Sequence, residues 1–163
     1  MKKNFERFVK IIAILVLGVF AISCGKGGKG SAEPGSIEAI KKAGKIRIGV
    51  FGDKPPFGFV DENGKNQGYD IYLAKRLAKD LLGDENKIEF ITLEAANRVE
   101  YLLSNKVDII LANFTVTDER KQKVDFAKPY MKVSLGIVSP EGAPIKDVKE
   151  LKGKKLIVNK GTT

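Results

Sequence analysis

The sequence contains no histidine, no tryptophan and a single cysteine. Without histidine, the chain cannot form a Ser-His-Asp triad, a histidine general base or a histidine-based metal site. One cysteine excludes an intramolecular disulfide bond, and it excludes zinc sites built from four cysteines or from cysteine together with histidine. The hydrophobic fraction of 43% is ordinary for a globular domain, so a wholly disordered chain is also excluded.

A continuous basic stripe is absent too, although the formal net charge is +9, from 29 Lys and Arg against 20 Asp and Glu. Charges of both signs are mixed through the body of the chain, and no RNP or zinc-finger motif occurs. We therefore predict no nucleic-acid partner. The apolar run over residues 11–23 is shorter than the roughly 20 residues that a membrane-spanning helix needs.

The start of the chain has the layout of an export signal. A basic segment is followed by that uncharged apolar run, which ends in small residues, and this predicts a signal peptide over residues 1–23. Residues 21–24 (AISC) resemble the lipobox of bacterial lipoproteins, with Ala at position 21 where that family most often has Leu. The resemblance implies that Cys24 is acylated and anchors the chain to a membrane. A plain secretory signal with an incidental cysteine is the alternative.

Residues 24–35 are rich in glycine and predict a flexible, lipid-anchored linker. From Ser36 onward, helix and strand signals alternate. Ser36 and Asp70 are predicted N-caps of two helices, because short polar side chains there precede runs with helical apolar spacing. The predicted strands cover residues 45–51, 87–93, 107–112, 132–138 and 154–159.

This alternation predicts an α/β fold with a parallel sheet and helices on both faces. Ligands of such sheets bind beyond the carboxyl ends of the strands. That rule selects three loops as candidates for a binding site, at residues 52–58, 112–118 and 160–163.

The second of these loops is the most informative. Residues 113–120 (NFTVTDER) place hydroxyl groups and an arginine directly after a buried strand. Hydroxyls, free backbone N–H groups and a bidentate guanidinium are the groups that bind a small carboxylate. The alternative is that Thr117 and Asp118 only cap a helix and that Arg120 is solvated. Spacing alone does not decide between the two interpretations.

Three motifs in register resemble the amino-acid-binding proteins of polar amino-acid ABC importers, solute-binding protein family 3. The first is Gly68-Tyr69-Asp70-Ile71, followed by Leu73-Ala74. The second is Thr117-Asp118-Glu119-Arg120, followed by Val124-Asp125-Phe126 and Pro129-Tyr130. The third is Leu151-Lys152-Gly153-Lys154, followed by Gly161-Thr162-Thr163.

The resemblance covers residues 36–163 and implies a periplasmic-binding-protein-like (type II) fold, in which two α/β lobes close on an amino acid. We expect the first lobe, residues 36–131, to be largely present. The second lobe begins at residue 132 and is expected to be incomplete, because this family's chains are longer. The sequence is therefore expected to be a C-terminally truncated fragment.

The same resemblance implies the ligand contacts. Arg120 is expected to form a salt bridge with the α-carboxylate of the amino acid, and Thr115 to share that carboxylate. The backbone carbonyl of Asn113 is expected to accept from the α-amino group. Thr162 and Thr163 are expected to add hydroxyl and N–H donors from the second lobe. No metal, cofactor or catalytic residue is expected.

Three further residues are candidates for recognition of the ligand side chain. Lys54 and Arg98 are cations at places where acidic-ligand relatives meet a side-chain carboxylate. Lys54 is otherwise a solvated loop charge. Phe57 either lines the pocket or belongs to the core. Two cations near the ligand would repel arginine or lysine, so basic ligands are disfavoured.

The favoured function is a lipid-anchored receptor, in the periplasm or at the cell surface, that passes a polar L-amino acid to the membrane subunits of an ABC permease. Cysteine, cystine or glutamine is favoured as ligand, with an acidic amino acid next, and the receptor is expected to be a monomer. One alternative is a ligand-binding sensor module. Another is a dehydratase-like cleft enzyme, for which Asp53 is the loop carboxylate nearest the mouth.

Overall fold

The structure is a computed structural model that describes residues 32–163. The predicted signal peptide, Cys24 and the first part of the predicted linker lie outside the described residues. Within residues 32–163, no helix is both long and apolar enough to cross a bilayer. The helices are α1 (Ile37–Ala43), α2 (Tyr69–Leu82), α3 (Arg98–Leu103) and α4 (Asp118–Lys121), with 3-10 turns at Ala95–Asn97 and Val148–Leu151. The strands are β1 (Ile46–Val50), β2 (Asp53–Lys54), β3 (Gly58–Val60), β4 (Asn66–Gln67), β5 (Ile88–Thr92) and β6 (Ile109–Leu111).

The central sheet is parallel and has the strand order β5-β1-β6. Ile46 lies opposite Ile88 on one side of β1, and Val50 lies opposite Leu111 on the other. The predicted strands over 45–51, 87–93 and 107–112 are therefore confirmed, with β6 shorter than its apolar run. Parallel strands need long crossover connections, and these are supplied by α2 and α3.

Helices cover both faces of this sheet, as predicted. Ile46, Ile48 and Val50 of β1 are fully buried against α1 and α2 on one face. On the other face, Gly49 lies under Leu93, and a Cβ atom at position 49 would lie 2.5 Å from the Leu93 Cδ2 atom. Residues in a strand alternate between faces, so β1 is buried on both sides and forms the centre of the domain.

A small antiparallel sheet of β2, β3 and β4 lies between β1 and α2 in the sequence. The turn between β3 and β4 is closed by the Asp61 carboxylate, whose Oδ1 accepts from the backbone N–H groups of Asn63 and Lys65 at 2.9 Å. This confirms the turn expected from the sequence and brings the chain back to the start of α2.

The two predicted helix caps have opposite outcomes. The Ser36 hydroxyl accepts from the Ala39 N–H at 3.2 Å, which confirms it as the N-cap of α1. Asp70 is not an N-cap: it lies inside the first turn of α2, and Gly68 occupies the cap position. The N–H groups of Tyr69 and Asp70 instead donate to the carbonyls of Pro56 and Phe57 at 2.9 Å. Because the backbone satisfies these donors, the Asp70 side chain is released for another contact.

That contact is a buried hydrogen bond. The Tyr130 hydroxyl donates to the Asp70 Oδ1 atom at 2.9 Å, and Asp70 is fully buried. Within the described part of the chain, the Asp70 Oδ2 atom has no hydrogen-bond partner. Burial raises the pKa of Asp70, and the Tyr130 hydroxyl opposes this by a smaller amount. The pair ties the segment after α4 to the first turn of α2.

The predicted strands over 132–138 and 154–159 are wrong for this structure, because both segments are irregular. Leu135, Val138 and Ile157 are 84, 100 and 96% exposed, respectively. A strand requires a neighbouring strand to bond its N–H and C=O groups, and residues 32–163 provide none beside these segments. The two segments have the apolar alternation of strands, but residues 32–163 contain no strand that pairs with them.

A substitution at Gly68 tests the close contact between the start of α2 and the backbone of Phe57. Its φ is 114°, and a Cβ atom there would lie 2.3 Å from the Phe57 carbonyl oxygen. We expect Gly68→Ala to lower the free energy of unfolding by about 3–5 kcal/mol, since strain and overpacking add. Gly44→Ala is the control: Gly44 has φ 71° with open space around it, so the cost should be about 1–2 kcal/mol. Equal losses in chemical denaturation would contradict the close approach of Gly68 to Phe57.

Asp70 should give the protein a measurable pH dependence of stability. A folded pKa above the unfolded value means that the folded state binds the proton more tightly. Its favourable contribution is therefore present below the ordinary Asp pKa and is lost as the pH rises through the raised pKa. In denaturation series, the stability of the wild type relative to Asp70→Asn should fall as the pH rises from below the ordinary Asp pKa through the raised pKa of Asp70. Asp80→Asn, which removes an exposed carboxylate from the same helix, is the matched control for the loss of one charge.

Candidate ligand-binding site

The carboxyl ends of the three parallel strands meet at one edge of the sheet. After β6, the chain turns at Asn113, whose φ is 45°, a left-handed conformation that asparagine tolerates. After β5, it forms the 3-10 turn at Ala95–Asn97 and enters α3 at Arg98. The loop predicted after β6 therefore lies beside the turn that follows β5, with Arg98 between them.

Arg98 is the most buried charged side chain of residues 32–163 after Asp70, at 3% exposure. Its Nε–H donates to the Ala95 carbonyl at 3.0 Å. Nη1 donates to the carbonyls of Ala112 and Asn113 at 2.9 and 3.0 Å. Nη2 donates to the Gly161 carbonyl at 2.7 Å. Four of the five guanidinium N–H groups are thus used on backbone carbonyls.

Arg120 lies beside Arg98 but uses fewer of its N–H groups in hydrogen bonds. Nη1 donates to the Thr115 carbonyl and Nη2 to the Gly161 carbonyl, both at 2.8 Å. The other three N–H groups of this guanidinium form no hydrogen bond with residues 32–163. The Arg120 side chain is only partly buried, so a small molecule can reach these donors.

The two guanidinium groups lie over the same aromatic ring. The Cζ atoms of Arg98 and Arg120 are 4.6 and 4.7 Å from the Phe114 ring centroid. No Asp or Glu of the described region forms a salt bridge with either arginine. Burial, and secondly the charge of Arg120, lower the pKa of Arg98 to about 10. Among the described residues, the two guanidinium groups therefore interact with carbonyl dipoles and aromatic faces and form no salt bridge.

The predicted contacts on the second loop lie around this pair. The Asn113 carbonyl, predicted to accept from a ligand amino group, already accepts from Arg98 and keeps a second lone pair. The Asn113 Oδ1 atom is buried, without a hydrogen-bond partner in the described region. Thr115 is exposed beside Arg120. Thr117 caps α4 by accepting from the Arg120 N–H at 3.3 Å, so the capping interpretation holds for Thr117 but does not apply to the Arg120 side chain.

The third loop reaches the site without the strand predicted before it. Gly161 places its carbonyl between the two arginines. Thr162 and Arg120 line a cavity of about 210 Å³, and Thr163 lies in a second cavity together with Asn113 and Thr115. Phe114 lines both cavities and forms the wall between them. The predicted residues of the two loops, together with Arg98, are thus brought into one region around one ring.

The first loop is different. Lys54 pairs with the neighbouring Asp53 and lies 5.7 Å from the Phe51 ring centroid. Phe57 is partly buried, and its carbonyl receives the Asp70 N–H at the start of α2. Neither Lys54 nor Phe57 lines the two cavities beside Phe114. Their predicted contact with a ligand side chain stays a prediction.

The second cavity is a groove of about 780 Å³ along the edge strand β6. It is lined mainly by apolar groups of β6 and of residues 125–135 and contains neither arginine. A size of this order is common in ligand pockets. Its position beside the outer edge of β6, which has no neighbouring strand among residues 32–163, however, marks it as an uncovered part of the sheet edge. Asn113, Thr115 and Thr163 line one end of this groove, and Arg120 and Thr162 line the smaller cavity.

Sequence reasoning missed two contributors to the site. Phe114 lies inside the loop selected from the sequence, but an aromatic residue directly after a strand usually belongs to the core, so its residue type does not indicate a binding role. The carbonyl of Gly161 carries no signal in the residue type, since every residue has one. The available sign in the sequence was the glycine itself, since glycine permits close approach of two backbones. A Cβ atom at position 161 would lie 2.6 Å from the Ala96 Cα atom.

The arrangement can bind an anion. Arg120 offers three donors and a positive charge, and the adjacent hydroxyls and N–H groups suit a carboxylate. Within residues 32–163, no group of three or more acidic or cysteine side chains is placed to hold a metal ion.

Known proteins resemble this chain over most of its length. It is 37% identical over 165 residues to the ABC transporter glutamine-binding protein GlnH of Bacillus subtilis (strain 168), covering 94% of this chain and 60% of that protein. A solved L-cysteine solute receptor of Neisseria gonorrhoeae matches with 66% identity and a TM-score of 0.76, covering 78% of this chain and 52% of that one. A cysteine-binding protein from Campylobacter jejuni matches with 64% identity and a TM-score of 0.75, covering 77% of this chain and 51% of that one.

An enzyme is also found on this fold. An ancestral cyclohexadienyl dehydratase matches with 40% identity and a TM-score of 0.54, covering 58% of this chain and 38% of that one. The chain spans about half to three fifths of the length of the binding proteins above.

The family model for bacterial extracellular solute-binding proteins, family 3, matches residues 46–163. That range contains both Arg98 and Arg120. The chain therefore belongs to the bacterial extracellular solute-binding proteins, family 3.

Proposed function

We propose that the protein is the receptor of an ABC importer and that it binds a polar L-amino acid at Arg120. The observation that carries this proposal is a guanidinium pair without a carboxylate partner among residues 32–163, in which Arg120 keeps three unused N–H donors. A ligand carboxylate supplies the missing negative charge. Charge-assisted, bidentate hydrogen bonds to arginine are the strong way to hold it.

The remaining contacts follow from the positions around Arg120. Thr115 shares the carboxylate through its hydroxyl group. The Asn113 carbonyl accepts from the ammonium group through its second lone pair. Thr162 and Thr163 approach from the third loop and add donors on either side of Phe114. A zwitterionic amino acid presents both charges that this arrangement accommodates.

L-cysteine, cystine and L-glutamine are the first ligands to test, with acidic amino acids next. The high identity to the two cysteine receptors supports cysteine, and the match to GlnH supports glutamine. Two cations beside the ligand disfavour arginine and lysine. The other site residues named above bind parts common to all amino acids and do not select among the uncharged and acidic ones.

We propose a binding protein rather than an enzyme. The dehydratase neighbour keeps the enzyme alternative open on this fold. Asp53, the carboxylate nearest the first loop, is paired with Lys54 and lines neither cavity. A cleft enzyme of that class needs a carboxylate that can take and give a proton beside the substrate. Glu119 lines the smaller cavity with Arg120, but its carboxylate is paired with Lys123.

The family works outside the cytoplasm, and we propose that this member is exported by residues 1–23 and anchored by acylated Cys24. Residues 24–35 form the tether, residues 36–131 the first lobe and residues 132–163 the start of the second lobe. We further propose that the receptor is a monomer, in the periplasm or at the cell surface, and delivers its ligand to the membrane subunits of the permease.

Calorimetric titration of the full-length protein with L-cysteine and L-glutamine tests the proposed ligand contact. We expect Arg120→Ala to weaken binding by about 2–5 kcal/mol, since a buried charge-assisted pair loses one partner. Lys121→Ala is the matched control, because Lys121 is adjacent, exposed and paired with Asp118 on the surface. It should leave the affinity unchanged. An unaltered affinity in Arg120→Ala, or no binding of any L-amino acid at millimolar concentration, would refute the proposal.

Detergent phase partitioning of cells that express the protein tests the anchor. We expect the wild type in the detergent phase and Cys24→Ser in the aqueous phase, because acyl chains provide the membrane affinity. Ser23→Ala is the control and should behave as the wild type. Intact-mass analysis should find acyl mass on a chain that starts at Cys24. A wild-type protein that partitions into water would contradict lipid anchoring.

A further inference from the structure

Arg98 joins three separate parts of the chain through one buried guanidinium. We propose that Arg98 is a positioning residue that fastens the loop at residues 160–163 across the ligand site, so that Thr162, Thr163 and Arg120 face the same carboxylate. This inference rests on the proposed function. It gives Arg98 a different task from contact with a ligand side chain.

The number of donors supports this assignment. Arg98 spends four of its five N–H groups on the carbonyls of Ala95, Ala112, Asn113 and Gly161, at 2.7–3.0 Å. One N–H remains, which is too few for a bidentate pair with a carboxylate. Arg120 has three left over. The two arginines are therefore chemically unequal: both donate to the Gly161 carbonyl, but Arg98 spends nearly all of its donors on the backbone and Arg120 keeps most of its donors for a ligand.

The loop depends on this contact. Among the hydrogen bonds of residues 32–163, the Gly161 carbonyl alone connects residues 155–163 to the earlier chain. Residues 155–158 are exposed and form no strand, so the sheet does not position them. Gly161 also packs against the backbone of Ala95 and Ala96, at the turn that precedes Arg98. Release of the Gly161 carbonyl would free the whole loop.

The planar fork of arginine is required for this geometry. The acceptor carbonyls come from the turn before α3, from the end of β6 and from the third loop, and they belong to separate segments of the chain. Lysine has one nitrogen and cannot reach all of them at once. Arg98→Lys keeps the positive charge and loses the fork, and it therefore separates positioning from electrostatics.

The first experiment compares Arg98→Lys with Arg47→Lys in the full-length protein. Arg47 is a matched control: it also bonds a backbone carbonyl and a carboxylate, those of Asn105 and Asp108, but it lies near the opposite end of β1. Two readouts are measured. One is the ¹⁵N order parameter of the Gly161 amide without ligand, and the other is the affinity for L-cysteine and L-glutamine.

We expect the Gly161 order parameter to fall from about 0.85 to below about 0.6 in Arg98→Lys, because the loop is then held only by the more exposed hydrogen bond from Arg120. Affinity should fall at least about tenfold, the equivalent of about 1.4 kcal/mol. Arg47→Lys should leave both readouts at the wild-type values, even if it lowers the melting temperature.

A second variant perturbs the same contact from the loop side. In Gly161→Ala, the added Cβ atom would collide with the Ala96 Cα atom and lift the carbonyl away from Arg98, without a change in the core. Gly153→Ala is its control, because Gly153 has a similar φ, 77° against 80°, with open space around it. Gly161→Ala should reproduce the loss of affinity, and Gly153→Ala should not.

The outcomes separate the positioning role from the proposed function. An unchanged Gly161 order parameter in Arg98→Lys, or a mobile loop with undiminished affinity, would overturn the positioning role. If Arg98→Lys does not fold, Gly161→Ala with wild-type affinity would overturn it. If the wild type binds neither amino acid, the proposed function fails first, and the ligand-free order parameters still decide whether Arg98 holds the loop.

Discussion

Burial of β1 on both faces is the constraint on which the rest of the structure depends. Ile46, Ile48 and Val50 have no exposed surface, and Gly49 allows Leu93 to lie directly against the strand. Such a strand needs a neighbour on each side and a helix on each face. β5 and β6 supply the neighbours, and their carboxyl ends place the turns that hold Arg98 and Asn113. The candidate site is thus a consequence of how the central strand is covered.

The site combines two arginines whose charges are not neutralised within the described region. Carbonyl dipoles and the Phe114 ring stabilise Arg98, but they supply no net negative charge. Like charges in a poorly solvated place repel, which is the second reason, after burial, for the lowered pKa of Arg98. An anion beside Arg120 would relieve that repulsion, so the free site is poised for a carboxylate.

The exposed apolar residues of the last part of the chain have the same origin as the groove along β6. In both places, apolar residues with the spacing of a strand have no strand or helix packed against them among residues 32–163. Exposed apolar area of this kind marks places where further structure or a partner packs. The binding proteins that match this chain are longer, and the chain spans about half to three fifths of their length.

The sequence by itself determined the parallel sheet, the cap at Ser36 and the region of the site, because apolar periodicity and short polar side chains act locally. It placed Arg120 and Asn113 correctly after β6, since strand order decides which loops meet. Tertiary structure alone decided the hydrogen-bond partners of Asp70 and Arg98. Asp70 was freed from capping by the carbonyls of Pro56 and Phe57, and Arg98 found carbonyl partners up to 63 residues away. Backbone carbonyls look the same in every residue, so no pattern of side chains reveals where they converge.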